Sequence, residues 1–187
     1  MSGPVCLPAP ARRQSGLPWT QHLRDAVPVT IYYLEMRDPA ALRAVSERAG
    51  LEVEEVRHKQ YPLNRFLYQL VGGDWDWTDK LVWTDDDWRA LVERDEHRTF
   101  MARCDGAIAG YYELEKRGGD VEILYFGLAP GFIGRGFGGD LLTRAIRSAW
   151  SWPGCERVWV HTCSLDHPSA LANYRARGLQ LYKQETQ

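Results

Sequence analysis

The chain has 187 residues, 44% hydrophobic and 26% charged, which suits one soluble globular domain of ordinary composition. Its 23 Lys+Arg against 25 Asp+Glu leave a net charge of -2, which excludes a nucleic-acid binder working through bulk positive charge. No apolar run approaches the roughly 18 residues of a membrane span, and four cysteines do not make a disulfide scaffold.

Residues 1–28 are broken by prolines and lack the apolar core of a secretory signal, so they read as a flexible N-terminal arm on a cytoplasmic chain. Residues 29–187 then read as one domain. Val29 to Leu34 is β-branched and aromatic and predicts a strand. Pro39 to Ala49 predicts a helix behind the cap Asp38, stopped by Gly50. Leu51 to Val56 suggests a short edge strand. Tyr61 to Val71 predicts a helix with Leu63, Phe66, Leu67 and Leu70 on one face. An aromatic, acidic loop follows from Asp74 to Asp79. Thr84 caps a helix through about Glu93, where Asp85, Asp86 and Asp87 favour the positive end of the helix dipole or, alternatively, offer a ligand site.

Three strands come next: Thr99–Arg103, Ala107–Leu114 after the hairpin signal Asp105-Gly106, and Val121–Leu128 after Gly118-Gly119-Asp120. Gly138 to Trp150 predicts an amphipathic helix, Arg157 to Thr162 a strand, Ser169 to Arg177 a helix, and Leu179 to Lys183 a last strand whose edge a second copy could cover in a homodimer. The meander excludes an all-parallel sheet, while the strand–helix–strand crossover demands a parallel pair. The fold class is therefore α+β, a mixed sheet with helices on both faces.

Gly134-Arg135-Gly136-Phe137-Gly138-Gly139 joins an apolar strand to an amphipathic helix. Glycines there let backbone N–H groups approach an anion at the helix N-terminus, or simply let helix and strand pack closely. The G-x-G-x-x-G spacing of Gly134, Gly136 and Gly139 alone is weak evidence for a dinucleotide, because no second βαβ unit follows. Glu122 is either a carboxylate raised in pKa by aromatic neighbours or a charge on an alternating strand. Tyr174 is either a reactive phenol or a core aromatic with a wet tip. His161 and Cys163 share a strand face but do not make a metal site.

The run Glu122 to Pro130 with Gly134-Arg135-Gly136-Phe137-Gly138 resembles the signature of GCN5-related N-acetyltransferases, [QR]-x-x-G-x-[GA], with Ile133 in place of Gln or Arg. Asp166 to Leu179 resembles that family's second motif, with Ala170, Tyr174 and Gly178 aligned, His167 in place of Asn and Leu179 in place of Phe. The resemblance covers about residues 97–183. It implies a mostly antiparallel sheet with a splayed parallel pair, and transfer of acetyl from acetyl-CoA to an amine without a metal. It implies Glu122 as base and Tyr174 as acid. Phe126, Gly127, Leu128, Ile133, Gly134, Arg135, Gly136, Phe137, Gly138, Gly139, His167 and Asn173 become the coenzyme contacts, His167 being equally suited to a capping role beside Asp166 and Pro168, with oxyanion donors around Phe126–Leu128 where Gly127 permits a bulge or a close approach. Acceptor contacts are expected from Trp75, Trp77 and Tyr112. Nine acids against three bases from Asp74 to Glu96, with several aromatics, suit a cationic small amine or peptide amine if they are not simply core and solvated surface. The departures at Ile133, His167 and Leu179 keep open a CoA-binding sensor without catalysis.

Overall fold

The computed structural model describes residues 28–187 except Asp76, so the expected arm lies, save for Pro28, outside the described residues. Strand β1 is Thr30–Met36, β2 Glu52–Glu55, β3 His97–Cys104, β4 Ala107–Arg117, β5 Asp120–Leu128, β6 Arg157–Cys163 and β7 Gln180–Thr186. Helix α1 is Tyr61–Gly72, α2 Asp85–Val92, α3 Phe137–Trp150 and α4 Ala170–Ala176. All seven strands join one sheet in the order β2-β3-β4-β5-β6-β1-β7. Every pairing is antiparallel except β5 with β6.

Side-chain periodicity explains the layers. Leu141, Leu142, Ala145, Ile146 and Ala149 recur at helical spacing along α3 and are all fully buried against Leu114, Val121, Ile123 and Val158 of the sheet. Leu67, Tyr68 and Val71 of α1, with Trp88 and Val92 of α2, cover the opposite face over Tyr111, Leu124 and Tyr125. Helix α2 begins as its sequence suggests. Thr84 Oγ1 accepts from Asp87 N at 3.2 Å, and Asp87 Oδ2 accepts from Thr84 N at 2.9 Å. Asp85 and Asp86 pair with Arg65 and Arg89, so the acidic run has a structural role.

The expected helix over Pro39–Ala49 does not form. A single 3₁₀ turn spans Pro39–Ala41 behind the cap Asp38, and Leu42 then turns extended. The backbone beyond it is held by distant partners: Arg43 N donates to Arg177 O, Val45 N to Thr143 Oγ1 and Arg48 N to Asp140 Oδ2. Those tertiary bonds satisfy the N–H groups that a helix would have turned inward, and they tie this segment to α3.

Candidate active site

Strands β5 and β6 run side by side only at Asp120–Arg157, Val121–Val158 and Glu122–Trp159. Beyond that they part, because β5 carries an extra residue. Glu113 and Leu114 of β4 face Tyr125 and Ile123, which leaves Leu124 unmatched. The bulge turns Leu124 and Tyr125 together toward α1, while Ile123 and Phe126 face the α3 side. From Ile123 to Leu128 the side of β5 that faces β6 has no strand partner. A cavity of about 670 Å³ fills the opening. Of the two readings of Gly127, a bulge or a close approach, the second holds: the bulge lies three residues earlier, and a Cβ on residue 127 would fall 2.4 Å from Val71 Cγ1.

The glycine loop closes one end of the cavity. Gly134 and Gly136 take φ of +82° and +81°, and Gly136 is the N-cap of α3 with no side-chain cap. The first N–H groups of a 14-residue helix therefore point out without an intrahelical partner. Asn173 Nδ2 donates to Gly138 O at 3.1 Å and fixes α4 to this turn. Arg48 adds charge: its guanidinium lies within 3.5 Å of where a Cβ on Gly136 would stand. Arg135 stacks over Phe132 at 4.9 Å.

At the point of divergence, Glu122 and His161 meet. Glu122 is 3% exposed, and its Oε1 accepts from His161 Nδ1 at 3.1 Å. Burial opposes charge on His161, but the hydrogen bond and the negative charge of Glu122, with Asp166 behind it, raise its pKa above the ordinary 6.5. His161 lines the cavity; Glu122 does not. Tyr174 lines it from α4, buried, with its ring 6.0 Å from that of Phe126. Burial, then the charge of Asp166, pushes its phenol far above the ordinary 10 and keeps it protonated.

The opposite wall is aromatic and acidic. Trp75, Trp77, Asp79 and Tyr125 line it. Trp77 packs on Tyr68 and Tyr125 at 5.5 and 5.2 Å, and its Nε1 donates to Asp166 Oδ1 at 3.2 Å. Asp166 also accepts from Thr162 Oγ1 and Cys163 N, so one carboxylate joins this loop to β6. Asp79 accepts from the Tyr68 hydroxyl and stands 3.7 Å from Lys80 Nζ. Lys80 itself sits over Trp83 at 3.8 Å, and burial pulls its pKa down against the opposing pull of Asp79.

Most of the residues singled out from sequence converge here. Phe126, Gly127, Leu128, Ile133, Gly134, Gly136, Gly138, His167, Asn173, Tyr174, Trp75 and Trp77 all line the cavity. Arg135 of the loop and Phe137 and Gly139 of the first turn of α3 do not line it: Phe137 is buried in the core, and Gly139 packs beside Arg177. His167 caps the turn into α4, accepting from Ser169 N at 3.0 Å, and meets Trp75 edge-on at 4.8 Å. Tyr112 is elsewhere. It lies on the α3 side of the sheet, stacked on Phe100 at 4.6 Å and hydrogen-bonded to Ser148 at 2.9 Å. The sequence reading missed the pairing of His161 with Glu122, and missed Asp166 and Arg48. His161 carried a partial signal, lying on the strand Arg157–Thr162 that the crossover from the strand of Glu122 demands as a parallel partner. Arg48 carried none, because its segment read as helix. Among the described residues no group of His, Cys, Asp and Glu could hold a metal, and no helix is long and apolar enough to cross a membrane.

Residues 53–179 match the model of the Acetyltransferase (GNAT) family. Among solved structures, a GCN5-related N-acetyltransferase from Kribbella flavida superposes with a TM-score of 0.62 at 16% identity, over 83% of this chain and 55% of that one. A GCN5-related N-acetyltransferase from Sphaerobacter thermophilus gives 0.61 at 15% identity, over 84% of this chain and 50% of that one. This chain thus spans about half the length of those two proteins. An aminoglycoside acetyltransferase, meta-AAC0020, from an uncultured soil metagenomic sample gives 0.57 at 19% identity, over 68% of this chain and 87% of that one. At these identities the likeness is one of fold. No curated protein matches.

Proposed function

The chain belongs to the GNAT acetyltransferase family, and from that premise we propose that it moves an acetyl group from acetyl-CoA to the primary amine of a small cationic acceptor by direct attack. The observation that carries this reading is the glycine turn at the uncapped end of α3, which opens into the cleft between β5 and β6. Gly134 and Gly136 take left-handed φ just before α3, a backbone shape suited to turning main-chain N–H groups toward an anion such as a diphosphate. Arg48 and Arg135 supply cations at its rim. The unpaired side of β5 from Ile123 to Leu128 offers main-chain groups to the amide-bearing arm of the coenzyme and a donor for the developing oxyanion.

Tyr174, held protonated by burial, is suited to give a proton to the departing thiolate. On the other wall, Asp79 and the faces of Trp75, Trp77 and Tyr125 attract an ammonium group. Much of the acidic surplus around this wall is spent internally, on Lys80, Arg65, Arg89 and the cap of α2. The preference for a cationic acceptor therefore rests on the cavity wall and not on the count of acids.

Calorimetry with acetyl-CoA, followed by thiol release in the presence of spermidine, tyramine and kanamycin, tests the reading. Micromolar binding with amine-dependent thiol release is the expected result. Binding without release from any of the three would mark a CoA-binding module instead. Failure to bind at millimolar concentration would overturn the reading.

A further inference from the structure

We infer that the group that takes the proton from the acceptor amine is Nε2 of His161, and that Glu122 is a positioning residue acting through it. The inference rests on the acetyltransferase reading above and assigns its deprotonation step. Geometry separates the two residues. Glu122 is 3% exposed and does not line the cavity, whereas His161 lines it and keeps 17% of its side chain open. A base must come within hydrogen-bond reach of the proton it removes, directly or through one water. Between the two, only His161 lines the cavity.

The pairing also fixes the tautomer. Nδ1–H donates to Glu122 Oε1 at 3.1 Å, so the lone pair of the neutral ring is on Nε2, which has no hydrogen-bond partner among the described residues. The carboxylate then stabilises the imidazolium that forms, as an orienting acid does for any histidine base. The bulge at Leu124 is what makes the meeting possible. β5 and β6 are in register up to Glu122 and Trp159, and they part just beyond, so the side chain two residues further along β6 leans back over Glu122 at the mouth of the split.

The step balances. The acceptor ammonium loses one proton, an N–H bond breaking as Nε2–H forms. The neutral nitrogen forms the C–N bond at the thioester carbonyl while the C–S bond breaks. The second proton of that nitrogen replaces the one Tyr174 gives to the thiolate, and the imidazolium returns its proton to water. The products are the amide, the free thiol and one proton.

Other charged groups around His161 are few. Glu122 faces it from β5. Tyr33 faces it from β1, with ring centroids 6.1 Å apart, and Tyr33 is itself engaged by Glu185 and Lys183 of β7. Asp166 and Cys163 approach from the end of β6 and the turn after it. Glu122 alone is hydrogen-bonded to the ring. Burial lowers the imidazole pKa and the pairing more than offsets it, which moves the base toward working pH.

The test uses the full chain with acetyl-CoA and whichever of spermidine, tyramine or kanamycin it acetylates. His161→Gln should lower kcat about 10²-fold or more, in line with loss of a general base, with the acetyl-CoA Kd unchanged within twofold. The ascending acid limb of kcat/KM against pH should vanish. Glu122→Gln should shift that limb to lower pH, and Glu122→Asp should restore part of it. Selective ¹⁵N-histidine spectra give a second readout that needs no turnover. His161 should titrate above 6.5 in the parent chain and lower in Glu122→Gln.

A His161→Gln variant within threefold of the parent and with the same acid limb would overturn the proposal and leave the acetyltransferase reading standing. So would a His161 titration indifferent to Glu122→Gln. No binding of acetyl-CoA would overturn that reading and this proposal with it. Binding without acetylation of any of the three amines would overturn this proposal, because the base would have nothing to deprotonate.

Discussion

Gly127→Ala and Val71→Ala should each destabilise the protein, and together they should destabilise it less than their sum. A Cβ on residue 127 would lie 2.4 Å from Val71 Cγ1 and 3.9 Å from Val71 Cβ. Carbon contacts settle near 3.5–4.0 Å, so the first distance is an overlap of more than an ångström and the second is an ordinary contact. Val71 is 2% exposed, and a β-branched side chain in a helix has one strongly preferred rotamer, so it cannot swing aside cheaply. The backbone of Gly127 is not left-handed, so the cost of Gly127→Ala is overpacking alone, about 2–3 kcal/mol. Val71→Ala removes two buried carbons, about 1.6 kcal/mol of transfer plus a cavity term, so about 2–3 kcal/mol. In the double variant the new methyl occupies the space that Cγ1 vacated. Its loss should be about 2–3 kcal/mol, well short of the 4–6 kcal/mol that additivity gives. Urea melts of the four proteins measure this directly, and each kcal/mol should also appear as about 2–4 °C in Tm. Additivity within about 0.5 kcal/mol would refute the claim that α1 rests on the backbone of β5 at Gly127, and with it the account of how the aromatic wall is held against the cleft.

Tyr174→Phe should reduce turnover about 10²-fold while the acetyl-CoA Kd stays within twofold, read by thiol release and calorimetry; turnover near the parent's would remove the proton-donor role. Thr84→Ala should cost about 1 kcal/mol in a urea melt through loss of the cap of α2, with kcat unchanged. The Glu122–His161 pair should also mark the pH dependence of stability. The folded-state pKa of His161 is raised, so the folded chain holds this proton more tightly than the unfolded chain. The stabilisation is complete below about 6.5 and is lost as pH rises through the folded value. The stability gap between the parent and Glu122→Gln should therefore be wider at pH 6 than at pH 9, and a gap flat across that range would refute the coupling.

The strands of the meander and the long helix α3 were legible because each buries one face and repeats its apolar residues at the matching period. The glycine turn was legible because Gly134-x-Gly136 between an apolar strand and an amphipathic helix has few structural uses. Tyr112 shows where the method stops. Strand β4 is covered on both faces, and Ala109 through Glu115 are all buried, so no alternation of apolar and polar residues records which neighbour faces which side. Tyr111 faces α1 and Tyr112 faces α3, and nothing in the sequence separates them. The segment after Pro39 misled for a different reason. Its helix-forming residues are used as an extended strap whose N–H groups are claimed by Asp140, Thr143 and Arg177, three partners that lie more than ninety positions away.

The same limit explains why the sequence points to Glu122 as the base and gives His161 no part in that step. A motif fixes a residue's place along its own strand, and Glu122 was identified that way. Whether a side chain reaches the cavity depends on where the neighbouring strand parts from it. That point is set here by a bulge at a leucine, a residue that gives no sign of one in sequence, whereas the glycine three positions later, which does invite a bulge, serves as a bearing for α1. With the bulge at Leu124, the cleft opens immediately beyond Glu122. It thereby exposes the next inward residue of β6 and leaves the carboxylate behind it. The division of roles proposed for the two side chains follows from where that bulge stands.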